Sequence, residues 1–85
     1  MYFLRDTTQN LLAVSHKHDD IIDYLAKHVP KIVDAYLETE QYRNLASIWN
    51  KDQTILEIHA EYIHSPIYSN KILETFTISE HMHYR

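Results

Sequence analysis

Seven histidines and twelve carboxylates in 85 residues are the first candidates for chemistry. His81 and His83 flank Met82. On a strand, residues i and i+2 share a face, so the two imidazoles could chelate one ion, with zinc, copper or nickel as the fitting metals. A protein site normally needs a third ligand, which the His16/His18 pair or a second copy of the chain would have to supply. Zinc is therefore an expectation that hangs on a missing partner; an exposed polar face near a terminus accounts for the pair without it. Glu57, His59 and Glu61 alternate in the same way and could do acid–base work of a small hydrolase or nuclease. Any solvated sheet face carries such residues, and no pocket is visible in the pattern. Asp19, Asp20 and Asp23 lack the loop spacing of a calcium site and read as acids opening a helix.

The chain contains no glycine, where average usage of about 7% would put roughly six. Glycine lets backbone amides approach a phosphate closely and takes positive φ at little cost. Its absence removes the P-loop, the dinucleotide-binding G-x-G-x-x-G and the G-x-S-x-G nucleophile turn together. There is no cysteine, hence no disulfide, thiolate zinc site or thiol nucleophile. A formal charge of −4, with acids gathered between residues 18 and 50, argues against direct nucleic-acid binding, which calls for a basic stripe. The longest apolar run, Leu11 to Val14, is too short to span a membrane. With no signal-peptide pattern at the N-terminus, a cytoplasmic location is the default expectation.

The elements follow from hydrophobic period. Tyr2 to Arg5 and Leu11 to Ser15 read as a β-hairpin whose turn chemistry comes from Asp6 and Asn10. Ile21, Ile22 and Leu25 give one apolar stripe and predict a helix over residues 17–28, ended by Pro30. Pro30 suits the first turn of a second helix carrying Ile32, Val33, Tyr36 and Leu37. Tyr42, Leu45, Ile48 and Trp49 have helical spacing too, so residues 31–50 form one bent helix or two short ones. Leu56, Ile58, Ala60 and Tyr62 then alternate with Glu57, His59 and Glu61 as a half-buried strand. A last strand runs from about Ile72 to Tyr84, with Glu74 and Glu80 breaking its parity and suggesting a bulge.

The predicted architecture is a single α+β domain, residues 1–85, of ββαα(α)ββ order: a small antiparallel sheet with helices packed on one face. The last two strands are long and the first two too short to cover them. A bare strand edge finds a partner, so a homodimer through the C-terminal hairpin is expected. Seven tyrosines exceed what one small core can bury with satisfied hydroxyls. Tyr42, Arg43, Trp49 and Tyr68 are the interface candidates, since Tyr, Trp and Arg dominate binding hot spots; Trp49 could equally be core.

In general type, the hairpin–helix opening of a small acidic domain resembles accessory proteins of phages and mobile elements. That resemblance covers about the first thirty residues and no motif carries it. It implies a protein that binds and blocks a host enzyme or defence complex. The expected function is thus a non-enzymatic protein-binding module, dimeric, inhibiting or modulating a larger partner. The alternative is a metal- or pH-responsive domain using the histidine pairs.

Overall fold

The computed structural model describes residues 1–64 and 70–81. Five strands and one helix follow the order β1 (Tyr2–Arg5), β2 (Leu11–Ser15), α1 (His18–Glu38), β3 (Tyr42–Trp49), β4 (Ile55–Tyr62) and β5 (Asn70–Glu80). The strands form one antiparallel sheet in the order β2-β1-β5-β4-β3. The helix lies on one face of that sheet. Leu4, Ile21, Leu25, Val29, Leu56, Ile58, Phe76 and Ile78 make the buried core between the two layers.

The first hairpin forms as its sequence predicts. The Asp6 carboxylate accepts the N–H of Thr8 at 3.0 Å, the Thr8 hydroxyl at 3.0 Å and the N–H of Asn10 at 2.9 Å. These bonds supply locally what a glycine turn would otherwise provide. Partial burial pulls the Asp6 pKa up, but the hydrogen bonds outweigh it and hold the carboxyl below its ordinary value. Asn50 does the same work between β3 and β4, its side-chain oxygen accepting the N–H groups of Thr54 at 2.8 Å and Ile55 at 3.0 Å.

Two corrections concern the helical section. First, Pro30 does not end the helix: α1 runs unbroken for 21 residues with the proline inside it. Pro30 is exposed, while Ile21, Leu25 and Val29 on the opposite side are buried. Burial of one continuous stripe across the sheet therefore outweighs the lost hydrogen bond. Second, Tyr42–Trp49 is strand β3, not a helix. Its register against β4 slips by one residue between Arg43 and Ala46, with Asn44 at φ 54°. An extra residue in a strand shifts the side-chain parity. Tyr42, Leu45 and Trp49 thus share the half-buried side at spacings of three and four, which imitate a helix. The order is ββαβββ, with a single helix.

The bulge expected near Glu74 is present. The β4–β5 register slips where Ile58 pairs with Glu74 but His59 with Ile72, leaving Leu73 as the extra residue. A third slip sets Leu12 as the extra residue of β2, since Leu4 pairs with Ala13 and Arg5 with Leu11. Both edge strands, β2 and β3, therefore carry bulges.

Without glycine, four residues among those described occupy the left-handed region: Gln9 (φ 70°), Glu40 (φ 58°), Asn44 and Gln53 (φ 56°). Glu40 follows Thr39 at the helix C-terminus and donates its N–H to Leu37 O at 3.1 Å. This is the position at which helices most favour glycine. Glu40→Gly is expected to stabilise the domain by about 1 kcal/mol, raising the thermal midpoint by roughly 4–8 °C. A calorimetric midpoint at or below that of the parent chain would refute this.

Candidate functional site

Four of the described histidines, His18, His28, His64 and His81, pack against aromatic rings. The His18 ring lies 5.3 Å from Tyr2 and its Nε2 is 2.8 Å from Gln53 O. His28 stacks on Tyr24 at 4.1 Å, His64 meets Tyr62 edge-on at 5.6 Å, and His81 meets Phe3 edge-on at 5.0 Å. His16 and His18 thus form no shared site with His81, and His83 lies outside the described residues. Among the described residues no group of three or more His, Cys, Asp or Glu side chains could hold a metal ion.

Glu57, His59 and Glu61 do share the sheet face turned away from the helix. The His59 Nε2 is 3.0 Å from Glu57 Oε1. Glu61 is drawn elsewhere: Arg43 Nε stands 3.4 Å from its Oε2, which also accepts the Asn44 side-chain amide. The face is open, and none of the three lines the cavity beside the helix.

That open face is the larger feature. Cross-strand register places Phe3 opposite Val14, Arg5 opposite Leu11 and Thr77, Thr77 opposite Ile55, Glu57 opposite Ile48, and His59 opposite Ile72. All of these point away from the buried Leu4, Leu56, Ile58, Phe76 and Ile78. Leu11, Val14, Ile48, Ile55 and Ile72 are each exposed large hydrophobics. No second layer covers them among the described residues. The polar members of the face are knit together, with Arg5 stacked over Phe3 at 5.7 Å.

Of the interface candidates, Trp49 sits on the helix side opposite Leu56 and packs partly buried against the core. Tyr42 is half-buried, its ring 5.8 Å from both Tyr36 and Tyr62, with Lys71 over Tyr62 at 4.7 Å. Arg43 is the half-exposed partner of Glu61. Tyr68 lies outside the described residues.

A cavity of about 620 Å³ opens beside the helix on the side of the first hairpin. Leu25, Ile32 and Tyr36 of α1, Leu12 of the β2 bulge, and Glu74 and Phe76 of β5 line it. Glu74 faces it by ordinary alternation, paired with the buried Ile58 and on the same side as Phe76 and Ile78, with the bulge at Leu73 just before it. Its Oε2 accepts the Tyr36 hydroxyl at 2.6 Å and its Oε1 the Thr7 hydroxyl at 3.0 Å. Burial, aided by the bond to Glu74 and its charge, pushes the Tyr36 phenol up to about 12, so it stays a hydrogen-bond donor at neutral pH. The sequence pattern gave no sign of this cavity; Glu74 registered only as a break in parity.

These features define the class: a two-layer α+β domain with one helix on a five-stranded antiparallel sheet, a bare apolar face and a side cavity. No protein-family model matches the chain, no curated protein matches it, and no solved structure matches it. No helix among the described residues is long and apolar enough to cross a membrane.

Proposed function

We propose that the chain is a non-enzymatic protein-binding module whose open sheet face is covered by a second copy, the dimer acting on a larger partner as an inhibitor or modulator. One observation carries this reading: five exposed aliphatic side chains lie on a sheet face with nothing packed over it. Two such faces can pack on one another as the layers of a sandwich do, and Ile55 and Ile72 bring the C-terminal strands into that contact. Exposed aliphatic surface gathered on one side of a small domain marks an interaction site.

The test is sedimentation of the full chain across a hundredfold range of concentration, beside Ile48→Lys. The expected result is a concentration-dependent dimer for the parent chain and a monomer for the variant, because a lysine in the face buries an unpaired charge on association. A parent chain that stays monomeric throughout overturns the second copy as occupant.

A further inference from the structure

Strand β5 is longer than the strand beside it. β1 pairs only with residues 77–80 of β5. The next slot of the ladder is plugged by a side chain: the Thr7 hydroxyl accepts the N–H of Thr75 at 2.9 Å. Beyond it, residues 70–72 pair with β4 on one side, Leu73 is the bulge residue, and residues 70–73 have no strand on the other side among the described residues. The sheet therefore has a step, and the 620 Å³ cavity opens at that step, with Glu74 next to the uncovered edge.

Glu74 is what gives the step a chemistry. Each of its oxygens accepts one hydroxyl, which leaves a carboxylate two further acceptor positions. No ion pair reaches it among the described residues, Lys31 on the same cavity wall included, although it is half-buried beside Leu12, Leu25, Ile32 and Phe76. A carboxylate in apolar surroundings gains strongly from a cation that bonds to it directly. On the opposite face of the same segment stands Ile72, 54% exposed. A strand laid against residues 70–73 would alternate its side chains between these two sides.

We propose that this step binds an extended peptide by strand addition, with a lysine or arginine entering the cavity toward Glu74 and its aliphatic neighbours lying on the Ile72 side. Main-chain hydrogen bonds to the β5 edge supply affinity, and the cavity supplies selection of the basic residue. The net charge of −4 favours approach of such a segment. This rests on the protein-binding reading and shares Ile72 with the open face, but it is decided at the edge of residues 70–73 and at Glu74, which the face-to-face dimer does not use, so the two fail separately.

The experiment is selection of random dodecamers displayed on phage against the full chain, followed by titration of the winning synthetic peptide. Selected peptides should share a Lys or Arg flanked by Val, Ile or Leu. Binding should shift the backbone amide resonances of residues 70–73, and Glu74→Gln should weaken it at least tenfold while Lys51→Ala, in the exposed turn between β3 and β4, leaves it unchanged. No enrichment, a consensus without a basic residue, or affinity unchanged in Glu74→Gln would overturn the proposal. So would amide shifts confined to the open face, a readout on the parent chain that does not depend on folding of the variant. Protection of the residue 70–73 amides by self-association alone would assign the edge to a second copy instead and overturn it equally.

Discussion

Leu4→Ala is expected to cost about 2–5 kcal/mol, the range for truncating a fully buried leucine, a large share of the stability of a domain this small, about 4–13 kcal/mol. Leu4 is 0% exposed although it is the fourth residue of the sequence. The reason is topological. β1 is not an edge strand but lies between β2 and β5, and Leu4 is paired with Ala13 on one side and Ile78 on the other. Removing its three outer carbons opens a cavity in the centre of the sheet, under the buried Ile21 and Leu25 stripe of the helix. Denaturation by urea, followed by circular dichroism, should show the midpoint falling while the slope stays near that of the parent chain. A loss under 1 kcal/mol would mean that the N-terminal hairpin contributes little to the cooperative unit.

Pro30→Ala should act in the opposite direction, stabilising the domain by about 1–3 kcal/mol. A proline inside a helix removes one hydrogen bond and presses its ring on the preceding turn, at about 3 kcal/mol. Alanine restores the N–H that would bond to Ala26 O. Part of the gain is offset because alanine leaves the unfolded chain freer, by about 0.4–1 kcal/mol. Pro30 is exposed, so its ring leaves no buried void behind. The same urea titration reads the effect. A destabilised variant would show instead that the fixed φ of Pro30 holds α1 in the shape its packing on the sheet requires.

The two strongest periodic signals in the sequence were legible as what they are. The alternation at Leu56, Ile58 and Ala60 is strand β4, and the stripe at Ile21 and Leu25 is helix α1. The hairpin was legible because Asp6 and Asn10 are turn residues by their own hydrogen bonds. Trouble arose where a single inserted residue changed the period. In β3 the bulge at Asn44 produced helical spacing in a strand; in β5 the bulge at Leu73 put Ile72 on the open face, while Glu74 keeps the parity of Phe76 and Ile78 and meets a hydroxyl pair and a cavity on the helix side. Pro30 misled for another reason: local preference is worth a few kcal/mol, and the tertiary burial of a 21-residue amphipathic helix exceeds it. The cavity and the step in the sheet depend on β1 pairing with β5, a contact between the two ends of the chain that no local pattern encodes.

That pairing also sets the order of events in folding. Tyr2 sits opposite Glu80, and Arg5 opposite Thr77, so the strand made first is held by the strand made last. The β1–β2 hairpin and the β3–β4 pair can each form locally, but β5 alone joins them into one sheet. Such closure over some seventy residues is slow, because chain entropy is spent before the contact repays it. As the chain leaves the ribosome, the hairpin must wait with the inner edge of β1 unpaired. The domain should therefore become resistant to protease in a single late step, when residues 77–80 emerge, rather than gradually as its elements appear.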